Sequence, residues 1–139
     1  ILLAVPGVKG VEFGSGFEAS RMRGSGFNDQ YVLRDGRITM ASNNAGGILG
    51  GLTTGMPLKV RVAFKPTPSI SKPQASVDVR SMEPREIRVK GRHDPCIVPK
   101  AVPVVRSVVA MVLADHLIRF GVIPRVLEDQ PRIGEPRRV

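Results

Sequence analysis

Tryptophan is absent and only 4% of the 139 residues are aromatic, so a core has to be packed from Val, Ile, Leu, Ala and Met. Cysteine is reduced to Cys96 alone, which excludes an internal disulfide and any CxxC zinc or redox motif and fits a reducing, cytoplasmic setting. Histidine occurs only at His93 and His116. Neither forms a zinc or facial-triad spacing with Asp94 and Cys96, so no metal site is expected. Long apolar runs are lacking too. The best one, within residues 101–120, is interrupted by Arg106, short of the roughly 18 residues that span a bilayer, so a soluble protein without a membrane partner is expected. Residues 1–10 are apolar but have neither a basic leader nor a long hydrophobic stretch. They resemble no signal peptide or anchor and read as a chain entered within an element.

Acidic residues are also scarce, 12 against 21 basic ones, for a formal charge of +9 and a pI near 10.8. The excess is spread along the chain, and without interleaved aromatics it is a weak signature for single-stranded nucleic acid. A basic nucleic-acid-binding module, drawing on Arg80, Arg85, Arg88 and Arg92, is nevertheless one alternative reading, and a non-catalytic assembly fragment is another. At 42% hydrophobic residues the chain can bury a core despite its 15 Gly and 12 Pro, and its length suits one domain.

Periodicity predicts a strand over 8–13 and a short helix over 17–22. A hairpin follows, with 30–33 and 37–41 joined at Arg34-Asp35-Gly36, where the Asp-Gly pair favours a tight turn. Residues 57–64 alternate strictly, with Leu58, Val60, Val62 and Phe64 on one face. Shorter strands are expected at 76–80 and 86–90. The aliphatic stretch 101–120 predicts a buried helix apolar on every side, with Pro103 in its first turn and an Asp115–Arg119 pair on its polar strip. The remainder, 121–139, reads as an extended Pro-containing tail with a helical turn near 126–129.

Three stretches could carry chemistry. Residues 43–55, NNAGGILGGLTTG, hold five glycines, which serve either tight turns or close approach of backbone N–H groups to an anion or flat ring. Asn43 and Asn44 could anchor such turns or bind a ligand edge. Lys65-Pro66-Thr67-Pro68-Ser69 follows a strand, and its two prolines hold an ammonium and two hydroxyls at small entropic cost. Gly91-Arg92-His93-Asp94-Pro95-Cys96 is the densest cluster of reactive groups. Arg92 could bind phosphate, and His93 or Asp94 could move protons, with Asp94 kept ionised by a guanidinium. Alternatively Asp94 caps a turn, His93 is exposed and Cys96 is a buried small hydrophobe. A Cys96 nucleophile is disfavoured because no histidine stands ready to activate it.

Together these blocks resemble the C-terminal part of chorismate synthase. The likeness rests on Gly7-Val8-Lys9-Gly10-Val11-Glu12-Phe13-Gly14, Ser42-Asn43-Asn44-Ala45-Gly46-Gly47-Ile48-Leu49-Gly50-Gly51, Lys65-Pro66-Thr67, and Gly91 to Cys96 continuing to Ala114-Asp115-His116. The resemblance implies an α+β fold, a β-α-β sandwich with the 101–120 helix buried between sheets, and a homotetramer. Residues 1–120 would belong to the catalytic domain. It further implies elimination of phosphate from 5-enolpyruvylshikimate-3-phosphate with the aid of reduced FMN. NADPH or an external flavin reductase would supply the reduction. By position, the FMN contacts fall at Pro6, Gly7, Gly50, Lys65, Pro66, Thr67, Pro68, Ser69 and Arg92, and the catalytic aspartate at Asp94. The family's opening block, with its histidines and substrate-binding arginines, has no counterpart here, so a fragment lacking the N-terminal half is expected.

Overall fold

The computed structural model describes residues 1–124. The expected turn at 126–129 and most of the 121–139 tail lie outside them. The chain order is mixed α and β. A 3-10 turn (Leu2–Ala4) leads into strand β1 (Val8–Phe13), a second 3-10 turn (Gly16–Arg21) and a one-turn helix α1 (Gly24–Phe27). Strands β2 (Tyr31–Arg34), β3 (Arg37–Met40), β4 (Ile48–Leu49), β5 (Leu52–Thr53), β6 (Val60–Phe64), β7 (Gln74–Asp78) and β8 (Glu83–Ile87) follow, and helix α2 (Val98–Arg119) comes last. The described chain thus opens on a 3-10 turn.

The strands pair antiparallel into four separate ribbons, β1–β6, β2–β3, β4–β5 and β7–β8. The β2–β3 hairpin turns at Asp35 (φ 49°) and Gly36 (φ 73°), both left-handed as a type I′ turn requires. In β6, Val60, Val62 and Phe64 are half-buried while Arg61 and Ala63 are exposed, as strict alternation dictates. The ladder to β1 starts only at Val60, opposite Phe13. Lys59 is already bound elsewhere: its N–H donates to the Gly46 carbonyl (3.0 Å), and its carbonyl accepts from the Gly14 N–H (2.8 Å). On the same ribbon Arg61 Nε lies 2.7 Å from Glu12 Oε1.

Strands β7 and β8 sit two to three residues earlier than the alternation predicts. Their turn is built by Asp78, whose Oδ1 accepts from the N–H groups of Arg80 (3.0 Å) and Ser81 (3.4 Å), with Met82 left-handed at φ 56°. Such an Asx turn needs no glycine or proline. The expected helix over 17–22 is a 3-10 segment whose last N–H bond runs from Met22 to Ala19.

Helix α2 begins three residues before the predicted start. Pro99 therefore occupies the first turn and Pro103 lies inside the helix, where it supplies no N–H to the Pro99 carbonyl. At the other end Val122 N–H donates to the Leu117 carbonyl (2.9 Å) and Gly121 N–H to that of Ile118 (3.1 Å), with Gly121 at φ 72°. This Schellman pattern fixes the stop at Phe120. The Asp115–Arg119 pair forms, at 2.9 Å.

The expected burial of this helix does not occur within the described residues: none of its residues is buried, and no pair of sheets encloses it. The reason is geometric. Strands lie about 4.8 Å apart, so a two-stranded ribbon covers only part of a helix about 10 Å wide. Met40 is the single buried hydrophobic residue among those described, joined by Gly14, Gly46 and Gly47. By length and composition alone α2 also meets the requirement for a membrane crossing, with a mean hydropathy of 1.7 in its most apolar window.

Candidate functional site

The end of the β1–β6 ribbon brings separate stretches of chain together. Lys65 N–H donates to the Gly7 carbonyl at 2.8 Å, which sets Pro6–Gly7 directly beside the start of the Lys65–Ser69 loop. Gly7 is left-handed at φ +88°, and a Cβ there would stand 3.1 Å from Ile97 Cδ1 and 3.5 Å from Phe64 Cδ1. The segment entering α2 thus closes over the same end, three residues beyond Asp94. Pro6, Gly7, the Lys65–Ser69 loop and the approach to α2 form one neighbourhood from three distant parts of the sequence.

Within the loop, Lys65, Pro66 and Pro68 are exposed, and Thr67 and Ser69 are half-buried. The Thr67 Oγ1 atom is shielded from solvent and has no hydrogen-bond partner among the described residues. A buried hydroxyl left in this state is costly, so a polar partner brought to it would be favourable. An anionic cofactor suits this donor set: the Thr67 hydroxyl, the nearby Ser69 hydroxyl and the Lys65 ammonium can all donate to phosphate oxygens.

Arg92, His93 and Asp94 lie exposed in the loop before α2. Among the described residues, no guanidinium pairs with Asp94. Its partner is the Lys100 ammonium on the first turn of α2, with Nζ 2.5 Å from Oδ2. Cys96 is exposed, not a buried hydrophobe. Gly50 is not brought to this neighbourhood by any described contact. It forms, with Gly51, the left-handed tip of the β4–β5 hairpin (φ 56° and 81°), and a Cβ there would meet nothing within 4 Å.

The two asparagines anchor turns. Asn43 Nδ2 donates to the Pro57 carbonyl at 2.9 Å, and Asn44 Nδ2 to that of Phe27 at 3.1 Å. Asn44 Oδ1 accepts from the Ser15 hydroxyl at 2.9 Å. The organiser of this segment is Asp29, which sequence reasoning missed. Its carboxylate accepts from the Ser42 hydroxyl (2.6 Å) and from the N–H groups of Asn44 (2.8 Å) and Ala45 (2.9 Å). Desolvation pushes the Asp29 carboxyl upward, but the bonds from Ala45, Ser42 and Asn44 outweigh it and hold the group below its ordinary value. No spacing rule links an aspartate to a turn 13 residues onward, so the sequence carried no signal for it.

An open apolar cavity of about 440 Å³ lies between the N-terminal turn, the β1–β6 ribbon and α2, lined by residues including Leu2, Phe13, Val60, Val109 and Leu113. It separates the helix from the ribbon that would otherwise cover it.

The profile of the family described as chorismate synthase matches residues 1–118. The chain is 62% identical over 126 residues to a chorismate synthase of Archaeoglobus fulgidus, which covers 91% of this chain and 35% of the relative. For that of Methanosarcina mazei the identity is 57%, with the same two coverages. For that of Thermococcus gammatolerans it is 61%, covering 85% of this chain and 33% of the relative. A crystal structure of chorismate synthase superposes with a TM-score of 0.46 and 46% identity, over 49% of this chain and 20% of that one. The chain therefore spans about a third of the length of these curated relatives. With the profile matching nearly all of residues 1–118 and identities near 60%, the chain belongs to the chorismate synthase family.

Proposed function

We propose that this chain forms part of an enzyme that converts 5-enolpyruvylshikimate-3-phosphate to chorismate and inorganic phosphate, a carbon–oxygen lyase of aromatic amino-acid biosynthesis. The observation that carries the reading is the Lys65 N–H bond to the Gly7 carbonyl, because it sets two of the family-like blocks side by side. In this anti-1,4-elimination the C–O bond to phosphate breaks, a ring hydrogen leaves, and a second ring double bond forms. Reduced FMN, when bound, supplies electron density that eases departure of the phosphate.

The protein's own part is binding and orientation. Lys65, Thr67 and Ser69, stiffened by Pro66 and Pro68, hold the cofactor together with Arg92, while Pro6 and Gly7 present backbone close to it. Left-handed Gly7 leaves no side chain between the Phe64 and Ile97 side chains and the ligand face. Asp94, three residues before Ile97, holds or moves a proton at its carboxylate. The charge of +9 favours arrival of a substrate carrying a phosphate and two carboxylates. The largely aliphatic α2 helix is the buried layer of a β-α-β sandwich completed by further chain and by a homotetramer, in a cytoplasmic protein that draws reducing equivalents from NADPH or an external reductase.

The test is titration of the full-length protein with reduced FMN and the substrate, reading flavin absorbance, chorismate and released phosphate. One phosphate per chorismate, with a flavin spectral change lost in Lys65→Ala, is the expected result. Chorismate formation at the wild-type rate in Lys65→Ala and Arg92→Ala would overturn the site assignment.

A further inference from the structure

We propose that Lys100 is a positioning residue, holding the Asp94 carboxylate in place through their ion pair. This rests on the reading of Asp94 given above. The two residues flank the entry to α2, six positions apart, with Nζ 2.5 Å from Oδ2. Pro95 follows Asp94 directly and Pro99 precedes Lys100, so the intervening backbone has little freedom and the pair is set by the fold.

One feature distinguishes this pair from an ordinary surface contact. The first turn of α2 contains no acidic residue and no side-chain cap, although unpaired N–H groups there favour an anion over a cation. A lysine on that turn runs against the helix dipole unless a carboxylate accompanies it. Both side chains are well exposed, 73% for Lys100 and 51% for Asp94, and exposed pairs contribute little to stability. Stability therefore does not account for the arrangement, whereas orientation does. Lys100 engages Oδ2 and leaves Oδ1 as the atom that can take or give a proton. An ammonium on one oxygen and the reaction on the other is an economical way to fix the direction of a carboxylate.

The experiment is a double-mutant cycle in the full-length, flavin-loaded protein: Lys100→Met, Asp94→Asn and the double variant, with Lys100→Gln as a second neutral replacement and Lys100→Arg as the conservative one. Fold is checked by circular dichroism, and FMN affinity by flavin fluorescence. For a residue acting through another, Lys100→Met should lower kcat about 10-fold, with KM and FMN affinity within about 3-fold, and Lys100→Arg should restore most of the loss. In the Asp94→Asn background the same change should cost less than about 2-fold. Unchanged turnover in Lys100→Met and Lys100→Gln overturns the inference, as do additive losses. A fall in FMN affinity parallel to the fall in kcat overturns it too, because Lys100 would then hold the cofactor. Wild-type turnover in Asp94→Asn removes the reading of Asp94 and the inference with it. Impaired Asp94→Asn beside a silent Lys100→Met removes the inference alone.

Discussion

Asp29 shows how one carboxylate organises a segment that glycine content alone leaves undefined. Three donors converge on it from Ser42, Asn44 and Ala45, and its carboxyl is held below the ordinary value. The unfolded chain therefore takes up a proton at Asp29 at higher pH than the folded one. Its stabilising contribution is complete above the unfolded carboxylate range and is lost as pH falls through the lower folded value. The protection of the Asn44 and Ala45 amides against hydrogen exchange, taken relative to the intrinsic rate at each pH and followed from pH 6 downward, should fall with acid. In Asp29→Asn it should be low at every pH, with overall stability lower by about 1–3 kcal/mol; pH-independent protection in the wild type would contradict the assignment. Two glycines of the same segment should separate structural from functional roles. A Cβ on Gly46 would overlap the Gly14 backbone, whereas one on Gly50 meets nothing. Gly46→Ala should be poorly folded or insoluble, while Gly50→Ala should cost only the roughly 1–2 kcal/mol of a left-handed alanine. A loss of FMN affinity in a stably folded Gly50→Ala would then report on ligand approach, read by fluorescence titration against the melting temperature.

At the scale of elements, what was legible in the sequence was what local chemistry decides. The Asp35-Gly36 pair set the β2–β3 turn, and alternation from Leu58 to Phe64 set the buried face of β6. The aliphatic run set α2 to within three residues. Elements fixed by distant partners were not legible. β6 is shortened because Gly46 and Gly14 occupy Lys59, and the convergence of Gly7 with Lys65 and Ile97 appears only once the β1–β6 register is known. The β7–β8 hairpin is displaced for a local reason, since the Asp78 side chain builds its turn where no glycine or proline marks one. The Lys65–Ser69 loop and the Arg92–Asp94 cluster stood out by their residue chemistry, whereas Pro6, Gly7 and the assignment of these groups to FMN came only through the resemblance of their motifs. Periodicity contributed only the strand end that carries Lys65. Pro103 offers a test at this scale. Because it leaves the Pro99 carbonyl without its helical donor, Pro103→Ala should restore one backbone bond and stabilise α2 by up to about 3 kcal/mol, visible as higher melting temperature and slower amide exchange in the second turn. Destabilisation would mean that the proline ring itself packs against something the isolated helix does not reveal.

The whole molecule is governed by a mismatch between apolar surface and cover. Val102, Val104, Met111, Leu113, Leu117 and Phe120 of the α2 region are exposed, and the 440 Å³ apolar gap opens beneath the helix. Exposed apolar side chains distributed along about 27 Å of helix are unfavourable in water and attract other surfaces. The charge of +9 opposes association only weakly at physiological ionic strength, because the charges are spread along the chain and screened beyond about 8 Å. The 139-residue chain alone should therefore bind an apolar fluorescent dye strongly and sediment as a broad mixture of associated species. If, as proposed, further chain covers the helix in the full-length protein, that protein should be dye-silent and sediment as one species. Val112→Glu, placed on the wall of the cavity, separates the two situations. It should improve solubility of the short chain, where water meets the new carboxylate, and destabilise the full-length protein, where the same carboxylate would be buried without a partner. A monodisperse, dye-silent short chain would instead mean that α2 finds its cover within these residues.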